Sequence, residues 1–287
     1  MTLSLIIFFV LVVFSLGWIA RRRFKAAIRI LAIRLCRLSL RCLSRPYRLC
    51  TEPCLVIAPH QDDETLGCGA LIARKRNEGL LVHVVFITDG GASHTGHPFI
   101  STGEVGTLRR REALVALAIL GVESCAIHFL DEVDGTLNSL TVVRQERLVT
   151  QLAGLVADIQ PGEIFLPCSP DGSSEHDAAF GFVCAALARV PLRPDIWQYP
   201  VWSWWNPDLL IERLIFNHGC CVQPAEDYQL VKTQALARYR SQLEPTPPWL
   251  EPALPPGLVR SCNSDKEFFF RFVPPTPGTD PAGPAVI

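Results

Sequence analysis

The 11 cysteines of the sequence form no Cys-x-x-Cys pair and follow no regular spacing. This absence argues against a thiolate zinc site and against a disulfide framework, because both need cysteines at defined intervals. Several of the cysteines lie within apolar strand or helix patterns, where reduced thiols are commonly buried. The pattern therefore favours a protein of a reducing compartment.

Net charge is also nearly absent, because 27 basic and 28 acidic residues leave a formal charge of −1. The whole molecule therefore offers no electrostatic basis for binding nucleic acid. The sequence has no internal repeat, and no Gly-x-Gly-x-x-Gly motif follows its first predicted strand, which argues against a dinucleotide-binding oxidoreductase. Its 287 residues, 49% of them hydrophobic, suffice for the core of one large α/β domain or two small ones.

Charged residues are missing from the 18-residue segment 3–20, LSLIIFFVLVVFSLGWIA. At a rise of 1.5 Å per residue, a helix of this length covers roughly 27 Å, close to the hydrocarbon thickness of a bilayer. A cleaved secretory signal is the alternative, but its positive charges precede the apolar segment, whereas here the arginines 21–23 follow it. We predict a transmembrane anchor over residues 1–20.

Residues 21–50 contain ten Lys or Arg and no acid. By the positive-inside rule, this bias predicts a single-pass membrane protein whose remaining chain faces the cytoplasm. Apolar residues at helical spacing alternate with the arginines, which predicts a basic juxtamembrane helix over 21–51 that lies on the anionic leaflet. A solvated basic stalk is the alternative.

From residue 52 onward, apolar runs with strand character alternate with helical patterns. Strands are predicted at 54–59, 80–88, 126–131, 163–168, 195–202 and 266–273, and helices at 63–78, 106–120, 139–159, 175–189 and 225–243. This alternation predicts an α/β fold with a Rossmann-like, mostly parallel sheet and helices on both faces. The domain is predicted to cover 52–273, and residues 274–287, which lack periodicity, are predicted to be a disordered tail.

Polar clusters follow the predicted strands, at the edge where parallel α/β sheets bind ligands. The clusters are residues 60–63 after the first strand, Asp89 after the second, Asp131 after the third and residues 171–177 after the fourth. A catalytic zinc ion takes three ligands from His, Asp or Glu and leaves a position for water. In the turn after the first strand, His60 and Asp63 can converge on one metal, with Asp62 between them to accept a proton from water.

The best candidate for a third ligand is His176, because it follows the fourth predicted strand and therefore lies on the same edge of the sheet. His94 and His97 could enter the site from a glycine-rich loop, although most loop histidines are solvated. Taken singly, the acids after the first strand could simply cap a helix. Their combination with His60 and with a second acidic cluster that contains a histidine favours a metal site.

The segment APHQDDE (58–64) resembles the first motif of the PIG-L/LmbE family of zinc-dependent N-acetylglucosaminyl deacetylases, with Gln61 in place of the usual proline. Further similarity covers 86–91, 108–122, 129–137, 197–202, Lys232 and Glu267. The resemblance extends over residues 52–273 and implies an LmbE-like fold for that part of the chain.

The resemblance implies a Zn²⁺ ion held by His60, Asp63 and His176, with Asp62 as general base. It further implies a hydrolase of linear amide C–N bonds that removes the N-acetyl group of an N-acetylglucosamine-type sugar or glycolipid and releases acetate. Arg111 and Asp171 are assigned to substrate binding, with surface ion pairing as the alternative role for Arg111.

Ser173 departs from the family's motif D-x-H-x-D-H, which falls on residues 171–176. It stands where a histidine is expected to stabilise the tetrahedral intermediate or to protonate the leaving amine, and Glu175 replaces an aspartate. We retain Ser173 as a candidate catalytic residue, although serine cannot carry an imidazolium charge. The alternative function is a catalytically degenerate metal-binding or scaffold protein of the same fold.

Aromatic residues are concentrated in WQYPVWSWW (197–205). They could stack on a sugar ring, or they could pack the core as alternating strand residues commonly do. Both interpretations stay open at the level of the sequence.

Overall fold

The computed structural model describes residue 24, residues 27–216 and residues 220–273. The strands are β1 (Arg45–Pro46), β2 (Cys54–Ala58), β3 (Val82–Thr88), β4 (Ile127–Glu132), β5 (Glu163–Pro167), β6 (Asp195–Tyr199), β7 (Cys220–Pro224) and β8 (Lys266–Phe272). The helices are α1 (27–43), α2 (Asp63–Asn77), α3 (Thr102–Ile119), α4 (Val142–Ile159), α5 (Ser174–Leu187), α6 (Pro207–Phe216), α7 (Gln229–Leu236), α8 (Arg240–Leu243) and α9 (Pro256–Cys262).

The described strands form one eight-stranded sheet in the order β1-β7-β8-β6-β5-β2-β3-β4. The strands from β6 to β4 are parallel to their neighbours, whereas β8 is antiparallel to both β6 and β7. The predicted α/β fold with a central, mostly parallel sheet is therefore confirmed. The predicted anchor and the predicted tail lie outside the described residues, and none of the helices within the described ranges is long and apolar enough to span a bilayer.

Two hydrophobic cores cover the two faces of the sheet, and β2 contributes to both. Val56 and Ala58 face one core, which includes residues of α2, α3, α7 and α9. Leu55 and Ile57 face the other, which includes residues of α4 and α5. A strand that is buried on both faces reads as a continuous apolar run, which is why CLVIA lacks alternation. The end of β2 therefore lies at the centre of the domain, where the chain turns into α2.

A buried ion pair fixes α2 to the rest of the fold. Lys232 Nζ lies 2.8 Å from Glu267 Oε1, and neither side chain is more than 1% exposed. Lys232 also donates to the carbonyl of Leu66, while Glu267 accepts the amides of Ala70 and Leu71. The pair therefore connects α2 to α7 and β8.

One predicted helix is divided in the structure, and four short elements were not predicted. The predicted helix 225–243 is divided into α7 and α8, because Tyr239 leaves helical geometry and its hydroxyl donates to the buried carboxylate of Glu64. The sequence did not predict four short elements, β1, β7, α6 and α9. In β1, β7 and α9, proline or charged residues also interrupt the hydrophobic periodicity that identifies a strand or a helix.

Candidate metal centre

The turn between β2 and α2 brings the first candidate ligands together. Asp63 opens α2, and its Oδ2 accepts a hydrogen bond from the backbone amide of His60 at 3.0 Å. Asp62 precedes the helix with φ of +139°, a conformation that non-glycine residues rarely adopt. Such backbone strain is concentrated at functional sites, where the surrounding structure maintains it.

Two groups of possible metal ligands occur among the described residues, and His60 belongs to both. In the first group, Asp63 Oδ2 lies 3.1 Å from His60 Nδ1 and 3.3 Å from His176 Nε2. In the second group, His60 Nε2 lies 2.7 Å from Glu175 Oε2 and 3.1 Å from Asp134 Oδ1. The three ligands predicted from the sequence thus form the first group.

Hydrogen bonds on the far side of each imidazole indicate which group would hold a metal. A metal-bound histidine generally donates its other ring N–H to a carboxylate or a carbonyl. The carboxylate of Asp171 lies 2.9 Å from His176 Nδ1, which leaves Nε2 directed to Asp63. In the same way, His60 can donate from its Nε2 to the carboxylates of Asp134 and Glu175, which leaves its Nδ1 free for a metal. This arrangement favours His60 Nδ1, Asp63 and His176 Nε2 as the candidate ligands, with the second group placed to orient His60.

The residues fit a divalent cation. His176 Nε2 is a buried nitrogen that makes no hydrogen bond of acceptable geometry, and such orphaned groups are rare in the absence of a ligand. Two imidazole nitrogens and one carboxylate oxygen form a donor set that zinc commonly takes in catalytic sites.

Charge at the site is arranged to favour a cation. Burial opposes ionisation of Asp63, but His176 and His60 hold its pKa well below the usual range. Burial likewise disfavours a charged His176, yet the charge of Asp63 and the hydrogen bond that His176 donates to Asp171 raise the pKa of His176 to about 9. A metal ion would therefore take the place of protons at these imidazoles.

Asp62 lies beside the ligands and is 3% exposed. Burial raises the pKa of this carboxyl group to about 8, against the opposing charge of Arg109. Arg109 Nη2 lies 3.2 Å from Asp62 Oδ2 and also donates to the carbonyl of Gln61, so it fixes the position of the carboxylate. A base with a pKa near neutrality is suited to accept a proton from water.

The site opens into a cavity of about 510 Å³, which is within the usual range of small-molecule sites. Its walls come from the β2–α2 turn, the loop after β3, α3, the loop after β4, the start of α5 and the segment before α9. The lining residues are His60, Asp62, Asp63, Ala92, Ser93, Arg109, Asp134, Gly172, Ser173, Ser174, Trp202, Gln242, Ala253 and Leu254. The cavity therefore combines the candidate ligands with polar side chains and one aromatic ring.

The other predicted site residues are Ser173, Asp171 and Arg111, and the structure brings one of these three to the cavity. Ser173 lines it and makes no capping hydrogen bond at the start of α5. Asp171, assigned to substrate binding, is fully buried behind His176 and is saturated by hydrogen bonds from residues 201–203. Arg111 is exposed on α3 and lines a separate surface depression.

The loop histidines also lie away from the cavity lining. His94 stacks on the ring of Trp249 at 5.6 Å, and His97 packs edge-on against the same ring at 5.0 Å. Both imidazoles are hydrogen-bonded to the segment 246–247. Their contacts hold that segment in place.

Two carboxylates at the site, Asp134 and Glu175, were not predicted as site residues. Asp131, the acid expected on the rim after the third strand, instead lies within β4 with φ of +55° and pairs with Arg110 on the surface. The strand ends at Glu132, so Asp134 is the acid that follows it. Glu175 could have been recognised because it stands next to His176 in the family motif.

Residues 55–187 match the family model described as PIG-L: GlcNAc-PI de-N-acetylase. Over this segment, just under half of its length, the chain is PIG-L-like. Its PIG-L region contains His60, Asp63 and His176, so the match and the candidate ligands coincide in the sequence.

Two curated relatives agree with this likeness. The chain is 26% identical over 190 residues to the "Uncharacterized deacetylase YaiS" of Escherichia coli, which covers 65% of the chain and 90% of that protein. It is 30% identical over 142 residues to the "Diacetylchitobiose deacetylase" of Thermococcus kodakarensis, which covers 48% of the chain and 50% of that protein. The predicted enzyme class, a hydrolase of amide C–N bonds, is thereby confirmed.

Solved structures share the fold. The N,N'-diacetylchitobiose deacetylase from Pyrococcus horikoshii superposes with a TM-score of 0.51 at 22% identity, over 67% of the chain and 71% of that structure. The 4-carboxy-2-hydroxymuconate hydratase GalB from Pseudomonas putida superposes with a TM-score of 0.58 at 18% identity, over 74% of the chain and 82% of that structure. The second likeness indicates that the PIG-L fold alone does not fix the reaction.

Proposed function

We propose that this protein is a metal-dependent hydrolase that removes the N-acetyl group from an N-acetylglucosamine-type sugar or glycolipid and releases acetate. The observation that carries the proposal is the convergence of His60 Nδ1, Asp63 and His176 Nε2, next to Asp62 and to the cavity that His60, Asp62 and Asp63 line. The printed names of the relatives support an acetylated sugar as substrate, since the Thermococcus kodakarensis protein is a diacetylchitobiose deacetylase. We propose zinc as the metal because of the donor set.

His60, Asp63 and His176 would hold a divalent ion, which would supply Lewis-acid chemistry to the acetamide carbonyl and to a water molecule. Asp62 accepts the proton of the attacking water. Arg109 holds the Asp62 carboxylate in position through the contact at 3.2 Å and keeps a positive charge beside it. No covalent intermediate between sugar and protein is required in this scheme.

Other residues of the cavity are placed to bind the sugar. Ser93 accepts a hydrogen bond from Gln242 Nε2 at 3.2 Å, so two polar side chains stand together on the wall. Trp202 offers an aromatic surface of the kind that packs on sugar rings, while Trp197 and Tyr199 are buried in the core. The Ser173 hydroxyl can donate one hydrogen bond to the substrate, which is less than an imidazolium supplies.

We also propose that residues 1–20 anchor the protein in a membrane and that the enzyme domain faces the cytoplasm. The uncharged segment 3–20 and the ten basic residues that follow it support this topology. A membrane position would suit a glycolipid substrate.

The test uses the full chain in a neutral detergent, stripped of metal and then supplied with Zn²⁺. Acetate release is measured from N,N'-diacetylchitobiose and from N-acetylglucosaminyl-phosphatidylinositol. We expect zinc-dependent release, a 10²–10⁴-fold loss of turnover in Asp62→Asn, and loss of zinc binding in His176→Ala. Asp227→Asn, an exposed acid away from the cavity, serves as the control. Release that persists after chelation, or no release with either substrate, would contradict the proposal.

Ser173 motivates a second candidate function, a degenerate protein that binds metal but turns over slowly. The substitution Ser173→His separates the two. If the protein is a working deacetylase, restoring histidine changes turnover by less than tenfold. A gain of 10²-fold or more would favour the degenerate protein, because that gain is the size of a missing general acid.

A further inference from the structure

A second cavity lies between α1 and α9, and we name it the arginine groove. Its volume is about 1,040 Å³. The lining residues are Arg29, Ile30, Ile33, Arg34, Arg37, Trp205, Pro256, Gly257, Arg260 and Ser261. Four of them are arginines and none is an acid, so the groove is strongly cationic.

The arginines of the groove are held in place but are not neutralised. Arg29 lies over the ring of Trp205 at 4.3 Å, and Arg37 lies over the ring of Trp204 at 4.6 Å. The Nε atoms of Arg29 and Arg37 are buried and have no hydrogen-bond partner. Within the described ranges, no carboxylate lies within ion-pair distance of any of the four arginines of the groove. Orphaned donors on oriented guanidinium groups indicate a site for an anion.

An exposed apolar stripe runs along α1 beside the groove. It consists of Ile28, Leu31, Leu35 and Leu38, which are between 51% and 58% exposed. Their spacing of three and four residues places them on one side of the helix. The opposite side of α1 packs on the domain through Cys36 and Leu40, so the stripe has no partner within the described chain.

We infer that the arginine groove binds the phosphate headgroup of an anionic membrane lipid while the apolar stripe enters the acyl boundary of the bilayer. Guanidinium groups bind phosphate oxygens through paired hydrogen bonds. A helix with a row of apolar residues beside a cationic surface lies in the plane of the membrane interface. A soluble anion would leave the apolar stripe unexplained, so the lipid is the occupant that accounts for both features.

The position of the groove gives the lipid a further effect. Trp202 and Leu254 line the metal-site cavity, whereas Trp205 and Pro256 line the groove. The segments 202–205 and 253–257 therefore form walls of both cavities. A lipid bound in the groove would place the metal-site cavity close to the bilayer surface.

The inference is tested with the full chain in neutral detergent micelles, by titration with three probes and native mass spectrometry. The probes are dioctanoyl phosphatidylglycerol, which is anionic, dioctanoyl phosphatidylcholine, which is zwitterionic, and inorganic phosphate. We expect one saturable site for phosphatidylglycerol and at least tenfold weaker binding of the other two. Arg34→Ser combined with Arg260→Ser should weaken phosphatidylglycerol binding about 25-fold, or about fivefold for each arginine.

Arg34 and Arg260 are exposed, so the double variant should fold, and its thermal unfolding checks this. Arg238→Ser removes an exposed arginine that lines neither cavity, and it should leave binding unchanged. Equal binding of the two lipids, or a double variant that binds like the wild type, would overturn the inference. Inorganic phosphate that binds as tightly as phosphatidylglycerol would overturn it too.

Lipid binding and deacetylation are measured separately. Acetate release from soluble diacetylchitobiose should be unchanged in the Arg34→Ser, Arg260→Ser chain, because neither residue belongs to the metal site. The two proposals can therefore fail independently.

Discussion

Asp171 is a fully buried carboxylate that holds two parts of the site together. Its oxygens accept the backbone amides of Trp202 and Ser203 at 3.0 and 2.9 Å, and they lie 2.9 Å from His176 Nδ1. The residue therefore fixes the ring of His176 and connects it to the 202–203 wall of the cavity.

From this geometry we expect Asp171→Asn to lower zinc affinity about 10–100-fold, because the amide NH₂ would face donors in either orientation and the negative charge that orients the His176 ring would be lost. Affinity is measured by competition with a chelating dye. The exposed Asp227→Asn is the matched control. Unchanged affinity in Asp171→Asn would show that His176 is positioned by other contacts.

Among the helices and strands, the buried pair of Lys232 and Glu267 has the largest expected effect on stability. Lys232→Met removes the charge that balances Glu267 and leaves the carboxylate buried beside α2. The free energy of unfolding should fall by about 3–5 kcal/mol, the usual consequence of breaking a buried pair. Urea denaturation measures the change, with Lys266→Met, which breaks the surface pair of Lys266 and Glu226, as control. A loss below 1 kcal/mol would mean that water or another cation replaces Lys232.

The neighbouring strands β3 and β4 carry a pair of histidines. His83 Nδ1 lies 3.2 Å from His128 Nε2, and the rings stack at 5.5 Å. Burial lowers the pKa of each imidazole below the usual 6.5, and the charge of His128 lowers that of His83 further. Both side chains are partly exposed to solvent, so each contributes modestly.

Because the pKa values are lower in the folded state, the unfolded chain binds more protons once the pH falls below about 6.5. The two histidines should therefore make the folded protein less stable as the pH falls from about 7 to about 5. Replacing both histidines by glutamine should flatten this part of the stability profile, as measured by urea denaturation across that range. An unchanged slope would exclude the pair as its origin.

The sequence allowed the metal ligands to be predicted because each follows a buried strand, and the ends of parallel strands meet at one edge. Asp134 could not be placed in this way. The pairing of β3 with β4 shifts register between Phe86 and Thr88, so the end of β4 is displaced and Asp131 turns outward. The cavity wall formed by Ala253 and Leu254 comes from a proline-rich segment that has no periodicity, and its position depends on tertiary contacts.

Across the whole molecule, the candidate metal centre joins the β2–α2 turn to α5. A metal that binds the folded chain and not the unfolded chain stabilises it by about 2.7 kcal/mol at a hundredfold excess over its dissociation constant. For a domain of this size, the melting temperature should rise by roughly 5–10 °C. Differential scanning calorimetry with and without Zn²⁺ measures the shift, and His176→Ala should show none. An equal shift in that variant would place the stabilising ion elsewhere.

The antiparallel strand β8 lies between β6 and β7, yet it is the last of the described strands to leave the ribosome. Until Phe268, Phe269 and Phe270 emerge, the nascent chain presents β6 with one open hydrogen-bonding edge. The unpaired backbone groups of such an edge can form hydrogen bonds with strands of other chains. A pause in translation before residue 266 would therefore expose a partly built sheet to aggregation, and release of the finished polypeptide would close it.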